Sequence, residues 1–373
     1  MMNILSIKPK TRGPFQVALL VFYVLINVIL FFALGVKYGA DSSRYLEGAA
    51  QLFTSAPFED KQSSYIGYIL FVSLVKSIFS GMDAMVVMAQ CVIGLIGIQC
   101  MFLLLRHYFD QKISFITCTL FLCYPDFLRW NMYILTDSLY VWSLCIYIYT
   151  IHRALKSSLN LLNWVPVIVM AIVLFFLRPN GWIIVPCSLF LLFCFQNYRK
   201  RAFYILLLGG ISTSLCALTV FRNEIWHYLN RENLLVNLKM GHILWLNNDW
   251  RITMPADHGE SMFKYFIRHL MEIVVLGVSR ITATVFPLRP YFSDLHNISI
   301  LSWCIVAYPV IAVGLRVFTL TKLSMLLVAM PAAQLFITAG TFADYDGRWL
   351  LYLFPSLIFF FANGIQRVKV IRI

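Results

Sequence analysis

Ionisable side chains are scarce in this sequence, and those that could do chemistry fall in four short polar stretches between long apolar runs. The first opens with Asp41-Ser-Ser-Arg44-Tyr45, continues past Glu59-Asp60-Lys61, and ends on Tyr65 and Tyr68. The second runs from Pro125-Asp126 through Arg129 to Thr136-Asp137. Arg178-Pro179-Asn180-Gly181 forms the third, and Asp344-Tyr-Asp346-Gly-Arg348 the fourth. A carboxylate can take the proton of an attacking hydroxyl, and Arg or Lys can hold an oxyanion through charge-assisted hydrogen bonds. Charged groups at membrane depth are costly and usually functional, whereas at the rim they cost little. Each group also has a plainer reading. Asp41 would then be a solvated loop carboxylate, Arg178 a helix-end anchor reaching for headgroups, and Asp126 and Glu47 solvated or capping groups.

The elements that must position these stretches are membrane helices. Of 373 residues, 60% are hydrophobic and only 13% charged, and the mean hydropathy is +0.77, which fits a polytopic membrane protein rather than a soluble one. The net charge of +13 does not point to nucleic acid, because Lys and Arg sit in short tracts between apolar runs, as in loops next to anionic lipid. At roughly 20 apolar residues per span, helices are expected at 14–35, 84–105, 113–126, 137–152, 161–177, 181–196, 203–221, 298–316, 322–340 and 349–366. Two more stretches are ambiguous: 65–80 carries Lys76, and 271–288 carries Arg280, Thr282 and Thr284. If neither crosses, the N-terminal tract, Arg106 to Lys112, Arg153/Lys156, Arg199 to Arg201, Arg316/Lys322 and the basic tail all share one side, which is then cytoplasmic.

The expectation is therefore an all-α polytopic membrane protein forming a single domain over 1–373. It has about ten spans (ten to twelve) and re-entrant or interfacial helices in the outer loops 36–83 and 222–297. The apolar run from Pro14 is too long for a signal-peptide core and reads as an uncleaved first span. In the long outer loop Trp226, Trp245 and Trp250 lie among asparagines, a composition suited to a membrane anchor or to a platform for a sugar ring. All nine cysteines fall in apolar segments without a CxxC pair and read as small core hydrophobes. Walker A, GxSxG, HExxH and GxGxxG patterns are absent, and the seven histidines form no standard metal spacing.

The order of these local features resembles the GT-C class of membrane glycosyltransferases, in particular its protein O-mannosyltransferase and lipid A aminoarabinose transferase branch. Five matches carry the resemblance: Asp41 with Arg44-Tyr45 after the first span; Lys61 with Tyr65 and Tyr68; Pro125 to Asp137 before the next span; the Leu-Arg178-Pro179-x-Gly181 junction; and Gly347-Arg348 with Pro355 inside the last span. The chain departs from the branch in lacking a double Pro at the Lys61 motif and a large C-terminal soluble domain.

The resemblance implies an inverting glycosyltransferase that moves a sugar from a polyprenyl-phosphate donor to an acceptor hydroxyl on a glycan, lipid or protein. In that reading Asp41 is the catalytic base and Asp137 a second catalytic carboxylate. Lys61, Arg178 and Arg348 bind the donor phosphate, while Arg44, Tyr45, Glu59, Tyr65, Tyr68, Asp126 and Trp245 line the substrates. A divalent cation (Mg, Mn or Ca) is an open question, since some relatives use one. The implied partners are the lipid-linked donor, a lipid- or protein-linked acceptor and membrane lipids. The implied setting is a bacterial inner membrane, with cytoplasmic termini and a periplasmic site. Two rivals stand beside it. An O-antigen polymerase or ligase would use Arg and His of loop 222–297. A transporter would place charges at the midplane on broken helices.

Overall fold

A computed structural model describes residues 13–52, 60–156, 161–194, 242–245, 248–251, 262–317, 321–340 and 347–371. Proline at the first helical position has no N–H to lose, so Pro14 opens helix α1 (Pro14–Leu34), and Gly35 at a φ of +64° stops it. There follow α2 (Ser42–Gln51), a short α3 (Asp60–Ser63), α4 (Ile66–Ile78), α5 (Asp83–Tyr108), α6 (Gln111–Leu122), α7 (Thr136–Lys156), α8 (Val165–Leu177) and α9 (Gly181–Cys194). The later elements are α10 (Met262–Arg268), α11 (Leu270–Val285), α12 (Asp294–Arg316), α13 (Lys322–Gly340), a 3₁₀ turn at Arg348–Leu353, and α14 (Phe354–Ile371). Among the described residues the fold is helical apart from an antiparallel hairpin of β1 (His242–Trp245) and β2 (Asn248–Arg251), with Trp245 opposite Asn248.

Among the described residues five helical stretches are long and apolar enough to cross a membrane: α1, α5, α12, α13 and Arg348–Val368. The helices at 66–78, 111–122, 165–177 and 181–192 are apolar but shorter. Every expected span within the described residues is helical over most of its length, and 203–221 lies outside them. The ambiguous stretch 65–80 is α4. Its 13 residues reach about 20 Å, short of a hydrocarbon core of about 30 Å. Both ends of α4 lie beside the segment that follows α1. Tyr65 packs against Tyr45 at 5.4 Å, while Lys76 shares Asp83 with the Tyr38 hydroxyl, each at 2.8 Å. A helix that returns to the face it left is re-entrant or interfacial, as expected of it.

Large apolar side chains on the outside of the bundle, such as Phe32 (84% exposed) and Phe336 (76%), face where lipid would be. The inside is aromatic. Trp142 lies against Tyr23 and Phe127, and Trp303 stacks on Phe354 at 5.5 Å, joining α7, α1, α12 and α14. The cysteines divide: Cys100, Cys118, Cys145 and Cys304 are buried, whereas Cys123 and Cys187 are exposed. The expectation that all are core residues fails for those two, because their helices turn that face outward.

Candidate active site

Thr136-Asp137 opens α7, and the segment leading into it is fixed by backbone and buried amides rather than by apolar packing alone. Asn131 donates to Asn27 at 2.8 Å and to the Tyr23 hydroxyl at 3.2 Å, and its carbonyl oxygen accepts from Ser138 and Trp142. Gln90 of α5 donates to the Tyr133 carbonyl at 2.9 Å and accepts from Tyr68 at 2.8 Å. Buried polar groups left without partners cost free energy, so a saturated network of this kind fixes one conformation.

The segment after α1 is then stitched to the same place. Lys37 N–H donates to Met132 at 2.9 Å, Ile134 N–H donates to Lys37 at 3.0 Å, and Ser42 Oγ donates to the Ile134 carbonyl at 2.8 Å. Asp41 therefore stands beside the segment that delivers Asp137.

Asp137 is 1% exposed and collects charge from two distant elements. Arg178, at the end of α8, pairs with its Oδ1 and also donates to Thr136 Oγ1 at 3.0 Å. Arg348 reaches Oδ2 at 3.3 Å from the 3₁₀ turn, and the Tyr352 hydroxyl donates to Oδ1. The Arg178 guanidinium also lies over the Tyr352 ring, 5.1 Å from its centroid. Two guanidiniums thus share one buried carboxylate. Gly347 permits this: its φ of +72° is a left-handed conformation that lets the chain turn sharply into Arg348.

Asp41 is partly exposed and pairs with Arg44 at 2.9 Å. The Tyr65 phenol lies in the electrostatic range of Asp41, Asp137, Arg178 and Arg348 together, so the early aspartate and the buried knot share one end of the bundle. Tyr45 and Tyr68 are buried and meet ring to ring at 5.0 Å, forming a wall beside Tyr65.

An apolar cavity of about 540 Å³ begins at this end. Its lining includes Gly67, Leu139 and Leu177, which lie within two residues of Tyr65, Asp137 and Arg178 respectively, and it continues past Leu74 of α4, Ile96 of α5 and Ile146 of α7. Gly67 is required for this geometry. A Cβ there would stand 2.8 Å from the Phe176 carbonyl group, so only glycine lets α4 approach the end of α8.

The structure corrects the expectation that Asp126 is solvated. It is 1% exposed, with Oδ1 held by Arg129 at 3.1 Å and Oδ2 facing His296 Nε2 at 3.1 Å. Arg129 also donates to the Tyr133 hydroxyl at 3.3 Å. Burial works against its charge, but Tyr133 and Asp126 outweigh that and raise its pKa above the usual arginine value. Arg178 is likewise no headgroup anchor, since its side chain turns inward to Asp137.

Glu59, Asp344 and Asp346 lie outside the described residues, and for Lys61 and Trp245 only the backbone is described. Tyr352 and His296 carry no motif in the sequence, and Thr136, inside the Pro125 to Asp137 stretch, takes no role of its own from it. The first follows Arg348 by four residues, a spacing at which a shared partner could have been suspected. Among the described residues no three His, Cys, Asp or Glu side chains gather as a metal site. Asp137 commits its oxygens to Arg178, Tyr352 and Arg348.

The profile of the dolichyl-phosphate-mannose-protein mannosyltransferase family matches residues 61–221, the region holding Lys61, Asp137 and Arg178. No curated protein matches the chain. Among solved structures, ArnT from Cupriavidus metallidurans bound to undecaprenyl phosphate is similar, with a TM-score of 0.55 and 13% identity over 94% of this chain. AglB, the oligosaccharyltransferase from Archaeoglobus fulgidus in complex with an inhibitory peptide and a dolichol-phosphate, aligns at a TM-score of 0.51 and 13% identity over 96% of this chain. The chain spans 60% of the ArnT structure and 50% of the AglB structure. Its fold is therefore like that of ArnT and AglB, in line with the GT-C-like helical bundle that its short motifs imply.

Proposed function

We propose that this protein transfers a sugar from a polyprenyl-phosphate donor to an acceptor hydroxyl at a membrane face. The observation that carries the reading is the pair Arg178 and Arg348, meeting on one buried carboxylate where an apolar cavity begins. A lipid phosphate needs both halves: cations for the oxyanion and an apolar surface for the first part of the chain. The printed ligands of the two similar structures, undecaprenyl phosphate and dolichol-phosphate, are of that chemical class.

In the reaction, the acceptor oxygen attacks the anomeric carbon and the bond from that carbon to the phosphate oxygen breaks. The electron pair leaves with the polyprenyl phosphate, whose charge Arg178, Arg348 and Lys61 stabilise. The hydroxyl proton passes to Asp41, whose second oxygen remains when Arg44 has taken the first. A single displacement of this kind inverts the anomeric centre. Asp137 holds the two guanidiniums in place, and Tyr65 lies within electrostatic range of both them and Asp41. The site faces the periplasm if the basic loops are cytoplasmic, as their Lys and Arg content argues.

The test is transfer from a panel of radiolabelled polyprenyl-phosphate sugars by the purified full chain. One donor should support transfer, and Asp41→Asn should abolish it while leaving the protein folded and membrane-bound. Normal transfer by that variant would remove Asp41 from the mechanism.

A further inference from the structure

The end of the bundle away from Asp137 holds a second set of charged groups that the transfer reaction does not use. Arg106 and His107 close α5, Lys112 opens α6, and Arg153 and Lys156 close α7. Lys156 Nζ sits 3.0 Å from His107 Nδ1, so its hydrogen-bond partner is a neutral base and not a carboxylate. His152 lies beside His107, its ring 4.9 Å away, with its Nδ1 bonded to the Tyr108 hydroxyl at 3.1 Å. Lys156 is within electrostatic reach of both imidazoles, and Arg153 acts on Cys100 of α5, so both cations lie along the α5–α7 seam. Arg106 donates to the Gln16 amide oxygen at 3.5 Å and lies over the Phe102 ring, 5.8 Å from its centroid. Arg153 and Lys156 are exposed.

Cations at helix ends complement the helix dipole, and that explains one per helix. It does not explain why α7 ends on both Arg153 and Lys156, with Lys156 meeting imidazoles on α5 and α7, while the acid at this end, Asp110, sits in the turn between α5 and α6. A second observation concerns the surface leading to them. Val92 (58% exposed) and Ile96 (49%) on α5 present an apolar strip that ends near Cys100, one turn from Ile96 and within reach of Arg153. Cations at the headgroup level with an exposed apolar strip running toward mid-bilayer match a phospholipid in outline: phosphate on the cations, acyl chain on the strip.

We propose that the α5–α7 seam at the Arg106 end binds the phosphate of an anionic phospholipid, through Arg153, Lys156 and the His107 side chain. Its phosphate position is at the opposite end of α7 from Asp137, though Ile96 also lines the apolar cavity, and it holds a structural lipid rather than a substrate.

The experiment follows thermal unfolding and native mass spectrometry of the full chain in detergent micelles. Phosphatidylglycerol, phosphatidylcholine or inorganic phosphate is added in separate arms. Phosphatidylglycerol should raise the unfolding midpoint and be retained on the protein, and the other two should not. Arg153→Gln/Lys156→Gln should weaken phosphatidylglycerol binding about thirtyfold, since two cations near an anionic headgroup are lost. Arg316→Gln/Lys322→Gln removes two exposed basic residues from the α12–α13 junction and should leave binding unchanged. Equal binding of phosphatidylcholine, full retention by the seam variant, or equal loss in the control variant would overturn the site. An equal effect of inorganic phosphate would overturn its assignment to a lipid.

Discussion

Replacing Asp137 by Asn keeps the shape of the side chain and removes its charge, and the structure sets the expected cost. In the native site the carboxylate is 1% exposed and receives Arg178, Arg348 and Tyr352. In the variant Arg178, only 8% exposed, faces a neutral amide. The amide can also turn an N–H toward donors. Breaking a buried pair by removing one partner costs about 3–5 kcal/mol. Arg348 is 19% exposed and recovers some hydration, which favours the lower end, about 3 kcal/mol. The assay is denaturant or thermal unfolding of the purified full chain in one detergent. Asp41→Asn is the reference, because its ion pair is partly exposed and worth less than about 1 kcal/mol. A cycle with Arg178→Gln should give a coupling of about 2 kcal/mol between Asp137 and Arg178, since the two touch. An Asp137→Asn protein within about 0.5 kcal/mol of the native one, the range of an ordinary surface change, would refute the buried knot, as would additive effects in the cycle.

Three further outcomes are expected. Gly67→Ala should destabilise the protein by about 1–3 kcal/mol in the same unfolding assay, because the new Cβ would overlap the Phe176 carbonyl group. Leu74→Trp should fill the apolar cavity and weaken undecaprenyl phosphate binding, while leaving the affinity for a short-chain alkyl phosphate unchanged. Asn131→Ala removes the centre of the buried amide network and strands the Ser138 and Trp142 donors and the Asn27 acceptor. It should cost about 2–3 kcal/mol and raise amide exchange at Lys37 and Ile134, whose hydrogen bonds join the two site-bearing segments.

Much of the framework was legible because membrane helices announce themselves. Apolar runs mark α1, α5, α12 and α13, and the Lys/Arg pattern argues that α4 does not cross. The charged residues at the site were legible for a related reason: Asp137, Arg178 and Arg348 are conspicuous where charge is otherwise excluded. Their partners were not. Tyr352 and Asn131 look like ordinary aromatic and loop residues, and only the fold brings Tyr352 to Asp137 across 215 positions. Asp126 misled the reading for the same reason. Beside a proline in a polar stretch it looks solvated, and its burial depends on His296, which is 170 residues away. Side-chain direction at Cys123 and Cys187 was equally hidden, since an apolar helix with little amphipathic pattern does not say which face meets lipid.

The most direct measurement is equilibrium binding of undecaprenyl phosphate to the native protein and to Arg348→Gln, which alters the more exposed of the two guanidiniums. Loss of one charge-assisted contact to the phosphate should weaken binding by roughly tenfold or more, with the fold intact. Equal affinity in the two proteins would contradict a donor phosphate held by Arg178 and Arg348.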